Sequence, residues 1–303
     1  MDAVISYLTN AFTLSFVVTS MFGFGLGLTV RQIVEPLKNV RLVLAALVAN
    51  FVVMPGMAFA LTRLLPLDQD LQIGLLLLGS AAGAALTLKA TQICRGNLLL
   101  SVSIVTLLVV ATVIYLPLVL PLLIPGVEVD PVAVALPLIM QILVPLAAGL
   151  FMHARYDEEA AMTRPLMNDI SNISLALLII VNLANVGEVL SLVGTGAIIA
   201  ILIMIATGLG AGYLLSSSLP QIRRTFAMAT AHRNYAAAFV IAGGSFGERR
   251  AVFLLLLTAS LISMLVILLV AGEFRRRVEA ADTAELEVAP GVPEVQEGER
   301  AGS

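Results

Sequence analysis

None of the 20 acidic residues in this 303-residue chain lies in the middle of any of nine apolar runs, each about as long as a bilayer crossing; all sit in links, at run ends or in the tail. That placement decides the fold class before any motif is considered. The chain is 59% hydrophobic and 12% charged, with a mean hydropathy of +1.02, and a soluble domain carries about twice that charge. So much apolar surface needs lipid as its solvent, so the first partner is a bilayer. Long runs without strict alternation predict an α-helical bundle, since barrel strands are short and alternate in polarity. The single cysteine, Cys94, excludes internal disulfides and cysteine metal clusters, and His153 and His232 are too few for most zinc or iron centres. No glycine-rich phosphate loop and no basic face with interleaved aromatics occurs, which argues against nucleotide and nucleic-acid partners. No cofactor is expected. An enzyme finds little support, because there is no paired intramembrane carboxylate and no His-rich metal motif.

The nine runs are 9–30, 40–62, 71–92, 98–124, 131–153, 170–189, 194–217, 225–243 and 252–272, so the transmembrane body is 1–272. The first ten residues carry no basic cluster, so the first run is read as a retained helix. Loops after the odd-numbered helices hold Arg31, Lys38, Arg41, Arg95, Arg155, Arg164, Arg223, Arg224 and Arg275 to Arg277. Those on the other side hold only Arg63, Arg249 and Arg250. Basic loops stay in the cytoplasm, which places the N-terminus outside the cell membrane and the C-terminus inside. Residues 273–303 open on the basic cluster, then turn acidic with Pro290 and Pro293, the composition of a disordered cytoplasmic tail.

Two cations, Lys89 and Arg233, lie well inside apolar runs, away from the basic residues of the links and run ends. Arg233 is about eight residues into the eighth run, ~12 Å deep in a ~30 Å core, where a cation costs roughly 2.5–3.5 kcal/mol. It is expected to face a polar cavity or a partner. Lys89 lies ~9 Å from the cytoplasmic end, within reach of the headgroups by snorkelling. His232 reads either as a neutral histidine bonded to a neighbouring helix or as a protonatable group in a transport path. Asn50, Thr87, Thr91, Gln92, Gln141, Asn182 and Asn234 add intramembrane polarity. Each alone is ordinarily interhelical glue. With Lys89 and Arg233 they make a polar cavity suited to an anion.

Four motifs occur in order: Met21-Phe-Gly-Phe-Gly-Leu-Gly-Leu-Thr29, Ala49-Asn-Phe-Val-Val-Met-Pro55, Gly79-Ser-Ala-Ala-Gly-Ala-Ala-Leu-Thr-Leu-Lys89 with Arg95-Gly-Asn97 and Leu100-Ser-Val102, and His232-Arg-Asn234. In these the chain resembles the bile acid:sodium symporter family, over roughly Leu8 to Gly272. The resemblance implies an inverted-repeat transporter in its nine-helix form, with repeats at about 9–124 and 131–272. It also implies that the third and eighth helices are broken and cross near the membrane centre.

The departures bear on the ion. The family's proline in the third helix is Ala82, and one of its paired glycines is Ala84. Its Ser-Asn sodium-binding pair is Thr87-Leu88, Ser101 is kept, and the next ligand position is Val105. Its acidic ligand falls at Ala229 and its glutamine at Arg233. Only Thr87, Ser101 and Asn50 remain as sodium-site positions, and Lys89 and Arg233 would repel the ion. The expectation is a secondary transporter of a small organic anion, bound by Arg233, Lys89, His232, Asn234, Thr87 and Asn50. Sodium coupling is not expected, and proton coupling is left open. The alternative is a non-transporting sensor or scaffold on a degenerate transporter fold, suggested by the lost helix breakers at Ala82 and Ala84.

Overall fold

In the computed structural model, residues 2–84, 86–124, 132, 135–136, 139–183, 191–246 and 249–288 are described, and among them all regular structure is helical. The helices are α1 (Asp2–Gly25), α2 (Val30–Val34), α3 (Val40–Val48), α4 (Met54–Leu64), α5 (Gln69–Ser80), α6 (Leu86–Ile93) and α7 (Leu98–Leu123). There follow α8 (Val144–Arg155), α9 (Asp157–Leu183), α10 (Ala197–Leu215), α11 (Pro220–Ala231), α12 (Tyr235–Ser245) and α13 (Arg250–Val288). The expected start of the fifth run near Pro131 and the end of the sixth near 189 lie outside the described residues.

Four stretches are long and apolar enough to cross a membrane unbroken: Val40–Leu64, Leu98–Leu123, Ala197–Leu215 and Arg250–Thr283. A fifth forms if Ala11–Gly25 and Val30–Lys38, bent by 102°, count as one. The bend has a local cause, since Thr29 caps α2 reciprocally with Gln32 and so fixes a new helix start. Leu118, Leu122, Leu214 and Leu269 point outward, as bilayer-facing side chains must. The expected third and eighth runs are each interrupted, at 81–84 and at 232–234.

Pro55 bends the second stretch. Its ring clashes with the carbonyl four residues back, so the helix widens into a π turn at Ala49–Val53. The freed Phe51 carbonyl accepts from the Tyr115 hydroxyl at 3.0 Å. A second π turn, Ile139–Leu143, precedes Pro145 in the same way.

Close packing depends on small residues, as it does between membrane helices generally. A Cβ on Gly25 would lie 2.4 Å from the Leu146 carbonyl, and one on Gly149 2.3 Å from that of Phe22, so α1 and α8 cross backbone to backbone. Gly208 and Gly212, four residues apart, let α10 lie equally close on α11. Hydroxyl pairs, Ser20 with Ser171 at 2.6 Å and Ser15 with Ser174 at 2.7 Å, join α1 to α9.

Two expectations change. Helix α9 starts at Asp157, so the stretch taken as a polar link ahead of residue 170 is helical and brings Arg164 into the bundle. The acidic first turn, Asp157 to Glu159, suits a helix N-terminus. Helix α13 continues past Gly272 to Val288, so the helix runs well beyond the expected end of the ninth apolar run. Pairs one turn apart, Arg275–Glu279 and Arg277–Glu273, support the extension, and Arg95 reaches across to Glu279 and Asp282. The rest of the tail, 289–303, lies outside the described residues.

Candidate functional site

The two helix breaks meet. Helix α5 stops at Ser80, Gly83 takes the left-handed conformation at φ +83°, and α6 resumes at Leu86. Helix α11 stops at Ala231 and α12 starts at Tyr235. The Asn234 amide donates to the Ala81 carbonyl at 3.1 Å, and its side-chain nitrogen to Gly83 and Ala82 at 2.9 and 3.4 Å. The Asn234 side-chain oxygen caps α12 by accepting from Ala237 at 3.0 Å. From α7, the Thr112 hydroxyl accepts from the Ala82 amide and donates to its carbonyl. The break therefore forms without proline at 82 or glycine at 84, because partners on other helices take up the backbone groups that a break frees.

Arg233 sits in the second break, not in a helix, and is 1% exposed. Its Nε donates to the Leu78 carbonyl at 3.1 Å. One terminal nitrogen donates to Asn50 Oδ1 at 2.6 Å and to the Thr230 carbonyl at 3.4 Å. The other donates to the Gly79 carbonyl at 2.7 Å and to the Asn50 carbonyl at 3.4 Å. Asn50 in turn donates to Ala46 and to the Thr230 hydroxyl. His232 bonds the Ser263 hydroxyl at 3.2 Å and packs beside the Tyr235 ring. Arg233, His232 and Asn234 border a small pocket of about 90 Å³ that is otherwise mostly apolar.

Lys89 does not join them. It is exposed on α6 and donates to Asn172 Oδ1 at 3.0 Å on α9. It opens on a separate cavity of about 750 Å³, lined also by Arg164, Gln92, Gln32, Asn168, Asn172 and Ser171. Phe16, Leu86 and Leu175 line both cavities, so an apolar partition stands between them. Gly27 is what admits Arg164, whose guanidinium lies where a Cβ on Gly27 would be, 2.3 Å from Cζ. Arg164 and Asn168 lie ahead of the expected start of the sixth run at 170, whereas Ser171 and Asn172 lie within it and were not singled out. The signal was there, since 164, 168, 171 and 172 fall on one helical face at spacings of four, three and one.

The residual sodium positions do not gather a donor set. The Thr87 hydroxyl is fully buried with no partner among the described residues. Ser101 is bonded to Thr91 at 2.9 Å, and buried Leu88 and Val105 offer only carbon. Asn50 Oδ1 already accepts from Arg233, and Ala229 brings a methyl group. These side chains do not fit a sodium ion, which needs several hard oxygens at once. The run Gly243-Gly-Ser-Phe-Gly247 has nucleophile-elbow spacing, but Ser245 closes a helix and follows no strand.

Paired, crossing helix breaks, among described residues that are helical throughout their regular structure and include several helices long and apolar enough to cross a membrane, fit a membrane protein of the transporter kind. Residues 14–194, more than half of the chain, match the Sodium Bile acid symporter family, and the chain belongs to that family. It is 26% identical over 247 residues, 80% of its length, to the probable sodium/metabolite cotransporter BASS1, chloroplastic, of Arabidopsis thaliana, covering 62% of that protein. It is 27% identical over 200 residues, 64% of its length, to the uncharacterized sodium-dependent transporter YocS of Bacillus subtilis, covering 60% of it. It is 28% identical over 214 residues, 69% of its length, to the probable sodium/metabolite cotransporter BASS2, chloroplastic, of Oryza sativa, covering 50% of it. The chain thus spans between half and about three-fifths of the length of these curated relatives.

Proposed function

We propose that this chain is a secondary transporter of a small organic anion, and that it moves the anion without obligatory sodium. The observation that carries the reading is the cavity of about 750 Å³, which presents Lys89 and Arg164 with four or more neutral hydrogen-bonding side chains. That volume suits a metabolite-sized ligand, and a mixed wall with few placed polar groups is how such sites select. Lys89 contributes a mobile ammonium and Arg164 a planar fork, a pair suited to a carboxylate or sulfonate. His232, Thr87 and the Arg233–Asn50–Asn234 group lie at or near the helix breaks, beyond the partition, where an anion would pass after leaving the cavity.

The repeat is inferred from the matching sequence of break, short helix and long helix. It runs α5, 81–84, α6, α7 in the first half and α11, 232–234, α12, α13 in the second. Nine crossings follow from the nine apolar runs, and the basic-residue bias puts the N-terminus outside. Contacts agree with that grouping: Arg95, Arg224 and Glu279 meet at one end, and Asp70 meets Arg249 at the other. A reporter fused after Ser303 should therefore be active only in the cytoplasm.

The deciding experiment uses purified protein in proteoliposomes and a panel of organic anions. Uptake is followed with Na⁺ replaced by choline at constant ionic strength, with and without a pH gradient. Uptake that persists in choline is the expected result. Flux that vanishes without Na⁺ would refute sodium independence, and no flux of any anion would count against a carrier. Flux that follows the pH gradient would make His232 the first residue to replace.

A further inference from the structure

We propose that the Arg233 side chain is a built-in cation filling a five-oxygen cage, and that the vacated cage takes a free alkali or guanidinium ion. The cage is the carbonyls of Leu78, Gly79, Thr230 and Asn50 together with Asn50 Oδ1. All five are hard oxygens, four of them from the main chain. Leu78 and Gly79 belong to the last turn of α5, and Thr230 to the last turn of α11. Those carbonyls have no partner within their own helices, and each helix end carries about half a negative charge. Two such ends converge here, so about one negative charge is presented by backbone alone. Asn50 completes the cage from the π turn that Pro55 imposes.

Half-helix C-termini and unwound carbonyls are the groups that hold coupling cations in membrane carriers generally. Among the described residues no carboxylate pairs with Arg233, so the backbone ends are what offset its charge. A guanidinium tethered to residue 233 cannot leave with the anion. The cage therefore stays filled through every cycle, and the meeting of the two breaks is held by a fixed charge rather than an exchanging one. The inference concerns what the cage holds and stands apart from which anion is carried, so its test reads stability and not flux.

The test is Arg233→Ala, purified as the full chain in detergent, with thermal unfolding measured in NaCl, guanidinium chloride, KCl or choline chloride at matched low ionic strength. The variant should melt roughly 6–20 °C below the parent, as expected for uncompensated buried partners. Na⁺ or guanidinium near saturation should return roughly 5–10 °C, choline should return nothing, and the parent should not respond to any of them. Equal melting of the folded variant in all four salts would overturn the proposal. If Arg233→Ala does not accumulate in the membrane, Arg233→Lys decides. Accumulation of the lysine variant supports a cage that needs charge, and loss of both alike would overturn it, because the shape of arginine would then be what matters.

Discussion

Replacing Asn234 by alanine removes three hydrogen bonds of unequal consequence. The bond from Nδ2 to the Ala82 carbonyl is long, at 3.4 Å, and Thr112 also donates to that carbonyl, so its loss leaves nothing bare. Among the described residues no second side chain donates to the Gly83 carbonyl, bonded at 2.9 Å, so the loss leaves a buried acceptor unmet, at about 1–3 kcal/mol. Loss of the cap on Ala237 costs about 1 kcal/mol more. Bonds between membrane helices measure lower, near 0.6 kcal/mol on average, because the unfolded reference also finds partners, so about 2 kcal/mol is the expected total. In melting temperature that is roughly 4–8 °C. The single cysteine, Cys94, is fully buried, so a thiol-reactive dye reports unfolding directly. Asn234→Asp keeps the cap acceptor but turns the donor into an acceptor facing Gly83, and should melt at least as low. If Asn234→Ala melts with the parent, the break is not held by this residue and the account of the crossing fails.

Lys89→Gln and Arg164→Gln should each raise the KM for the transported anion about 5–30-fold, since a charge contact in a water-filled cavity is worth roughly 1–2 kcal/mol. Neither should change protein yield, and an unchanged KM in both would remove the cavity from the transport path. Gly25→Ala should destabilise by about 1–3 kcal/mol through collision with the Leu146 carbonyl, while Gly56→Ala, with open space around it, should be tolerated. Equal yields and melting temperatures for the two would contradict the close crossing of α1 and α8. The Glu279 carboxyl lies beyond the apolar run, and its pKa is held below the usual value of 4.5, first by the hydrogen bond from Arg275. A depressed pKa stabilises the fold above the ordinary value, and that contribution fades as pH falls below about 4.5. Glu279→Gln should lose this acid sensitivity of the α13 extension, read as proteolytic release of the C-terminal segment.

The sequence by itself determined the class of protein, because the exclusion of carboxylates from the middle of long apolar runs leaves lipid as the only solvent that suits them. It also singled out Arg233 and Lys89, since a cation in an apolar run is costly whatever the fold. The glycines of the Met21–Thr29 motif were legible as a pattern. Their use, admitting α8 at Gly25 and Arg164 at Gly27, depends on which backbones pass within 3 Å, and no local rule contains that. Only the tertiary structure separated the two cations. Along the chain both sit in broken apolar runs, but Arg233 is enclosed by carbonyls of α5, α11 and the π turn, whereas Lys89 faces α9 across a cavity. The break at 81–84 shows the same division. Local propensity, with Ala82 and Ala84 in place of breakers, argues for continuous helix, yet Thr112 and Asn234 from other helices satisfy the opened backbone. A helix in the membrane ends where distant partners can take its last carbonyls, and the positions of those partners are set by packing rather than by neighbours in sequence.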